Sequence, residues 1–263
     1  MAERGPKLAV LIDADNAAPG TAEGLFVEIA KLGEASLRRA YGDFSRATRS
    51  GWGKDLLGRY AIQAHQQFPY TTRKNATDIA MVIDAMDLMH SGRFDGFCLV
   101  TSDSDFTRLA ARIREQGLDV YGIGAERTPE SFRRACTRFI YTENFAATPA
   151  EPVLPRRTGP APAPVTPAAS PPPASAPPAA RQPPSRAVPL IMKAIEELEE
   201  DAEGWLPLGR VGQILGNIST DFDPRSYGHA KLSDLVAATG HFEVDRSGRG
   251  MRLRVKPERR GAG

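Results

Sequence analysis

The sequence has little cysteine, no long apolar run and almost no excess of charge, and each absence narrows what the protein can be. Its two cysteines, Cys98 and Cys136, stand in apolar or helical contexts without the spacing of metal ligands. No segment resembles a signal peptide or a membrane span, so we expect a soluble, cytoplasmic protein with reduced thiols. The net charge of +2 at pH 7 does not by itself indicate a partner.

Proline is concentrated in one part of the chain, since 14 of the 22 prolines fall between Pro149 and Pro184. That segment offers almost no large apolar side chain, so it cannot offset the entropy cost of ordering itself. We therefore predict a disordered Pro/Ala-rich linker over 146–187. It separates a domain at 1–145 from a domain at 188–257, which a short disordered tail at 258–263 follows. A docking site for a proline-binding partner is the alternative interpretation of the linker.

Residues 7–145 alternate short apolar strand patterns with helical patterns. Strands are predicted at "LAVLI", "SLRRAY", "HQQF", "GFCLVTS", "LDVYGIG" and "RFIYTEN", and helices near 18–32, 53–63, 75–91, 105–116 and 129–136. Such alternation is typical of an α/β domain in which a mostly parallel sheet is covered by helices on both faces.

Six polar side chains follow strand ends or begin a helix in this pattern. They are Asp13, Asp15 and Asn16 after the first strand, Asp78 at the start of the third helix, and Asp103 and Asp105 after "GFCLVTS". Strand ends and helix starts share one rim of a parallel sheet, so we expect these side chains to converge. Clustered carboxylates either raise their pKa or bind a cation, and hard oxygen ligands select Mg²⁺ or Mn²⁺. The sequence therefore predicts a divalent-metal site.

Some of these residues, and others near them, have a structural explanation when taken singly. The helix dipole favours an acid such as Asp78 in a first turn, and for Asp78 alone this explanation has even weight. Asp84 and Asp87 lie further along the same helix, and we interpret both as structural, with Asp84 tied to a neighbouring basic group. His65 and His90 lie away from the rim motifs and are also interpreted as structural.

The motifs "VLIDADN", "KNATDIAMVIDAMDL", "GFCLVTSDSDFTRLAARIREQGLDVYGIG" and "FRRACTRFIYTENF" together resemble the NYN domain, a branch of the PIN-like nucleases, over residues 6–145. The resemblance implies a PIN-like three-layer sandwich and metal-dependent RNA cleavage, with carboxylates that hold one or two Mg²⁺ or Mn²⁺ ions. The family's conserved positions correspond here to Asp13, Asn16, Asp78, Asp103 and Asp105.

Within that resemblance we expect Asp13 and Asp103 to be the central metal ligands. Asp78 and Asp105 would bind the metal directly or through water. Asn16 would orient a water, a phosphate or a ligand carboxylate. Asp15 is an extra acid that members of this branch often carry, and its role as a direct ligand stays open.

A basic segment between Arg38 and Lys74 contains eight basic residues and two acidic ones. Basic side chains bind phosphates, and an exposed tryptophan stacks on unpaired bases. The candidate RNA-binding residues of this segment are Arg46, Arg49, Trp52, Lys54, Arg73 and Lys74. The alternative is an ordinary solvated face, and for Trp52 packing against the sheet has equal weight.

The segment after the linker predicts three helices and a β-hairpin, which is a small winged-helix-like α+β domain. The motifs "GWLPLGRVGQIL" and "DPRSYGHAKLSDLV" and the final hairpin resemble the OST-HTH, or LOTUS, domain over about 187–257. That family is associated with RNA binding or protein docking. Basic residues crowd the hairpin and favour phosphate contact. The candidates are Arg246, Arg249, Arg252 and Arg254.

We therefore expect a Mg²⁺- or Mn²⁺-dependent ribonuclease, a hydrolase of phosphodiester bonds in single-stranded or structured RNA, that a linker tethers to an RNA-binding module. The alternative is a non-catalytic RNA-binding or scaffold protein, although an adaptor has no need of carboxylates that repel each other. A third possibility is dehalogenase-like phosphate-ester chemistry, but Ala17 stands where that class needs threonine. A protein partner of the C-terminal domain and a homodimer are both left open.

Overall fold

A computed structural model of the chain describes residues 5–46, 51–67, 76–147, 181–198, 204–246 and 250–256. The greater part of the expected linker, residues 148–180, and the expected tail lie outside the described residues. No helix in the described ranges is long and apolar enough to cross a membrane.

Six parallel strands form the sheet of the N-terminal domain, as the alternating pattern predicts. They are β1 (Lys7–Asp13), β2 (Glu34–Gly42), β3 (Gln63–Gln66), β4 (Gly96–Val100), β5 (Asp119–Gly124) and β6 (Arg138–Tyr141). Their order is β3-β2-β1-β4-β5-β6. Strand β4 is buried along its whole length, in keeping with its continuous apolar sequence and central position.

Helices cover both faces of this sheet. They are α1 (Ala22–Leu32), α2 (Lys54–Arg59), α3 (Ala76–His90), α4 (Thr107–Glu115) and α5 (Glu130–Ala135). Side chains alternate along β1, so Ala9 and Leu11 share one core with α3 and α4, while Val10 and Ile12 share the other core with α1. Asp13 is in phase with Ala9 and Leu11, which places its side chain on the α3 face.

The strand order reverses direction between β1 and β4. Chain connections run from β1 outward to β2 on one side and from β4 outward to β5 on the other. Open parallel sheets form a crevice at such a point, outside the carboxyl ends of the two strands. The residues that follow β1 and β4 are therefore placed to line a binding site.

A polar network fastens α3 to β2. Arg39 Nη1 donates to both carboxylate oxygens of Asp84, at 2.5 and 2.6 Å, and the Tyr41 hydroxyl donates to the same carboxylate. Burial raises the pKa of Asp84, but these hydrogen bonds outweigh it and hold the pKa below its ordinary value. The expected tie between Asp84 and a basic group is thus observed.

The C-terminal module contains helices packed on a small antiparallel sheet. The helices are α6 (Val188–Glu196), α7 (Leu208–Ile218) and α8 (Leu232–Ala238), and the strands are β7 (Leu206–Pro207), β8 (Phe242–Asp245) and β9 (Arg252–Val255). The expected hairpin is β8 and β9, and β7 adds a third strand in the order β7-β9-β8. The module also begins before residue 188, because Ala187 is fully buried in its core.

Replacing Asp84 by asparagine should destabilise the fold, because Arg39 would lose its charged partner at a site where both side chains are 21% exposed. We expect Asp84→Asn to lower the free energy of unfolding by about 1–3 kcal/mol in urea denaturation. The matched control is Glu115→Gln, which breaks an exposed ion pair with Arg112 and should cost less than about 1 kcal/mol. Equal losses in the two variants would contradict the structural role of Asp84.

The same pair predicts a pH dependence. The pKa of Asp84 is lowered in the folded protein, so its contribution to stability is complete above the unfolded pKa of about 3.9 and is lost as the pH falls through the lower folded value. The difference in unfolding free energy between the wild type and Asp84→Asn should therefore be largest at neutral pH and shrink below about pH 4. A difference that grows on acidification would contradict this assignment.

Candidate metal centre

Three carboxylates meet at the crevice between β1 and β4. Asp78, Asp103 and Asp105 each offer one oxygen, and these three oxygens lie within 4.8 Å of one another. Asp78 lies in the first turn of α3, and the other two follow β4. The Asp103 side chain accepts a hydrogen bond of 2.9 Å from the Asp105 backbone N–H, which begins a short 3-10 helix at Ser104–Phe106. This local cap brings both loop carboxylates to the position of Asp78.

Asp13 lies beside this group and is fully buried. One of its oxygens accepts from the backbone N–H groups of Asp15 and Asn16, both at 3.2 Å. The other accepts from Asn16 Nδ2 at 2.9 Å and from Thr101 Oγ1 at 2.8 Å. Burial raises the pKa of Asp13, and the hydrogen bonds from Asn16 and Thr101 oppose that rise. The carboxylate is thus held in one orientation by donors from the segments that follow β1 and β4.

The pKa of Asp78 reflects the presence of the other acids. This pKa is raised to about 6, first by burial and then by repulsion from the charges of Asp13, Asp103, Asp105 and Asp15. A divalent cation would relieve this repulsion, and carboxylate oxygens are the ligands that hard cations such as Mg²⁺ and Mn²⁺ prefer. The donor set therefore fits a hard divalent ion.

Only some of the expected site residues belong to the three-carboxylate group. Asp78, Asp103 and Asp105 form the three-carboxylate group, whereas Asp13 lies outside that group but close enough to repel Asp78. Asn16 contacts a carboxylate, one of the three contacts expected for it. Asp15 is exposed and also lies outside the group, and its Oδ2 accepts from Thr77 Oγ1 at 3.1 Å at the start of α3.

Sequence reasoning missed Thr101, which donates to Asp13. The residue directly follows β4, and the pairing of Ile12 with Val100 puts it opposite Asp13 in the extended register. A hydroxyl at the end of the strand expected to be central was the signal that could have identified it.

The expectation that Trp52 is exposed and stacks on RNA bases is wrong. Its side chain is 1% exposed, it packs in the core beneath α1, and its Nε1 donates to the Ala17 carbonyl at 3.0 Å. An indole buried in this way has no free face for a base, so the alternative of packing against the sheet is the observed one. Lys54 is exposed at the start of α2. The remaining candidates of that segment, the Arg46 side chain, Arg49, Arg73 and Lys74, lie outside the described residues.

The basic residues of the hairpin pair with acids of the C-terminal module, two on the hairpin itself and one on α8. The ion pairs are Arg246 with Asp234 at 2.8 Å, Arg252 with Asp245 at 2.7 Å and Arg254 with Glu243 at 2.6 Å. The guanidinium groups of Arg252 and Arg254 also lie over the Trp205 ring, 5.4 and 4.6 Å from its centroid. The hairpin is thus a mixed-charge surface with a central aromatic ring, and Arg249 lies outside the described residues.

A narrow groove adjoins the acids along the carboxyl ends of β1, β4 and β5. Its volume is about 100 Å³, and its lining includes Asn16, Thr101, Ser102, Gly124 and the exposed Arg127. Arg127 was not a candidate in the sequence, because it stands after β5 and away from the basic segment. Asn16 and Thr101, which donate to Asp13, connect the groove to the acids, and Arg127 places a cation in its lining.

Comparisons with known proteins match both parts of the chain. A family model of the NYN domain matches residues 7–143, and one of the OST-HTH/LOTUS domain matches residues 181–253. A comparison with curated proteins finds no match.

Two solved structures are similar to parts of the chain. A crystal structure of a protein of unknown function from Vibrio parahaemolyticus is 21% identical, covers 53% of this chain and 94% of its own, and gives a TM-score of 0.43. A solution NMR structure of an uncharacterized protein from Nitrosomonas europaea is 35% identical, covers 36% of this chain and 95% of its own, and gives a TM-score of 0.26.

The NYN match spans more than half of the 263 residues and contains the β1 and β4 acids and Asp78. The OST-HTH/LOTUS match covers the helices and most of the sheet of the C-terminal module. The chain therefore belongs to the NYN domain family, within the PIN-like nuclease superfamily, and carries a C-terminal OST-HTH/LOTUS domain.

Proposed function

We propose that the protein is a divalent-metal-dependent ribonuclease whose active site is the acid cluster between β1 and β4. The observation that carries the proposal is the convergence of Asp78, Asp103 and Asp105 within 4.8 Å, beside the buried carboxylate of Asp13. The NYN domain has a nuclease-like fold, and the OST-HTH/LOTUS domain suggests RNA as the substrate.

Asp78, Asp103 and Asp105 would hold Mg²⁺ or Mn²⁺ through their carboxylate oxygens, with Asp13 adding its negative charge from the buried side. A bound divalent ion lowers the pKa of a water and stabilises negative charge on a phosphodiester, which is the chemistry that hydrolysis of RNA needs. Asp15 is exposed next to the start of α3, where it would add charge at the mouth of the site.

The protein's own hydrogen bonds keep these acids in place. Asn16 and Thr101 hold the Asp13 carboxylate from the segments that follow β1 and β4, so both would orient this acid. The Asp103 cap fixes the loop after β4. The groove beside the acids would receive the RNA backbone, with Arg127 at its edge as a phosphate contact.

Binding of RNA away from the acids would fall to the C-terminal module. The guanidinium groups of Arg252 and Arg254 both lie over the Trp205 ring, and this combination of ring and cations suits stacking on a base beside a phosphate. Because the arginines are paired with acids across the hairpin, phosphate would have to compete with those carboxylates. Each phosphate that an arginine neutralises releases counterions from the RNA, so binding through this surface should weaken with added salt.

Replacing Asp103 by asparagine removes one ligand charge and keeps the shape of the side chain. We expect Asp103→Asn to cleave labelled single-stranded and structured RNA at least about 100-fold more slowly in Mg²⁺ or Mn²⁺, because a ligand charge supports several kcal/mol of transition-state stabilisation. Wild-type cleavage should also stop in EDTA.

The matched control is Asp87→Asn, an exposed aspartate on α3 that lies nine residues from Asp78. It should cleave at the wild-type rate. RNA binding without cleavage by the wild type in either metal would make the protein an RNA-binding adaptor and overturn the proposal.

Asp78→Asn should have opposite effects on stability and on metal binding. In EDTA the variant should melt at a higher temperature than the wild type, because it removes the acid that burial and four neighbouring carboxylates keep at a raised pKa. Millimolar Mn²⁺ should raise the melting temperature of the wild type by ligand linkage and leave the variant unchanged. A wild type that Mn²⁺ does not stabilise would contradict the assignment of the metal centre.

A further inference from the structure

The C-terminal module touches the NYN domain along the edge strand β6 and the helices α1 and α5. The contacts come from two short segments of the module, Ser219–Asp223 and the 3-10 turn Pro224–Tyr227. We propose that this contact is a docking interface built into the chain, so that the OST-HTH/LOTUS domain is held at a fixed position on the NYN domain instead of being tethered loosely.

A buried ion pair forms the first part of this interface. Arg225 donates to both oxygens of Glu28 on α1, at 2.6 and 3.2 Å, and also to Asp223 in its own module. The Glu28 side chain is 7% exposed and the Arg225 side chain 18%. Burying charges is expensive unless each finds a well-aligned partner, and the two-pronged contact supplies one across the domains.

A second polar contact lies on β6 and α5. Asp221 of the module accepts hydrogen bonds from Arg133 and, at 2.6 Å, from the Tyr141 hydroxyl. Arg133 also lies 5.8 Å from the centroid of the Tyr141 ring. One acid from the module is thus received by two side chains that the NYN domain already holds together.

Backbone hydrogen bonds make the third part. The Phe139 N–H on β6 donates to the Thr220 carbonyl at 2.8 Å, and the Thr220 hydroxyl donates to the Arg133 carbonyl at 2.9 Å. Strand β6 is the last strand of the sheet, and an edge strand leaves polar backbone groups without partners unless something covers them. Thr220 provides that cover at Phe139, which fixes one backbone contact between the module and β6.

We expect the C-terminal module that docks on β6 to belong to the same molecule as the NYN domain. The 33 residues between Ala147 and Arg181 can span roughly 110 Å when extended, since each residue covers at most about 3.3–3.6 Å. Ala147 also ends the 3-10 segment Thr142–Ala147, whose Asn144 Nδ2 donates to Ser226 Oγ at 3.2 Å in the interface. Chain length therefore sets no obstacle to docking within one molecule.

Docking at β6 has a consequence for the position of bound RNA. Strands β4 and β6 are separated only by β5, so the docked edge is about 10 Å across the sheet from β4, the strand that precedes Asp103. RNA held by the module would reach the acids at a set distance. Docking itself needs no catalysis, so its test is independent of the proposed nuclease activity.

The test is amide hydrogen exchange of Phe139, measured by NMR on the full chain. Arg225→Ala and Glu28→Gln should each speed exchange of this amide by at least about tenfold, because either change weakens the ion pair that holds Thr220 over β6. Arg246→Ala is the matched control, since it breaks an exposed ion pair with Asp234 inside the module and should leave Phe139 exchange unchanged.

Glu28→Gln keeps the test valid if Arg225→Ala disturbs the fold of the module, because Glu28 belongs to the other domain. Phe139 exchange that is equally fast in the wild type and both interface variants would overturn the proposal. A wild type that elutes as a dimer, with Phe139 protected only in the dimer, would instead show that modules are exchanged between two copies and would overturn docking within one chain.

Discussion

Mutual repulsion among the carboxylates at the rim of the sheet is the constraint on which the site depends. Asp78 has a pKa raised to about 6 by burial and by four neighbouring acids, so the protein invests stability in keeping these charges together. Hydrogen bonds hold two of these carboxylates in place against the repulsion. Asn16 and Thr101 donate to Asp13, and the backbone N–H of Asp105 donates to Asp103. A hard divalent cation is the partner that this arrangement suits.

The topology of the sheet and a polar network on α3 together bring the acids to one place. Reversal of the strand order between β1 and β4 opens a crevice at their carboxyl ends, and the alternation of side chains along β1 turns Asp13 toward α3. The Arg39–Asp84–Tyr41 network then holds α3 on β2, with Asp78 in the first turn of the same helix. Sheet topology thus sets the location, and a polar tie sets the approach of the third segment.

Much of the N-terminal fold and its acids follows from local patterns, because each acid directly follows an apolar strand or begins a periodic helix. The features that could not be predicted from the sequence depend on contacts between residues that are distant in the chain or on neighbouring strands. Trp52 sits in a glycine-flanked loop whose pattern is the same whether the ring is exposed or buried. The hairpin arginines meet Glu243 and Asp245 only through the register of β8 and β9. Glu28 and Arg225 stand 197 positions apart, and no local pattern links them.

The central claim is that the three carboxylates form a metal centre, and anomalous scattering from crystals of the protein soaked in Mn²⁺ tests it most directly. We expect an anomalous peak within coordination distance, about 2.0–2.2 Å, of oxygens from Asp78, Asp103 and Asp105. A peak on other residues, or no peak at the crevice between β1 and β4 at saturating Mn²⁺, would contradict it.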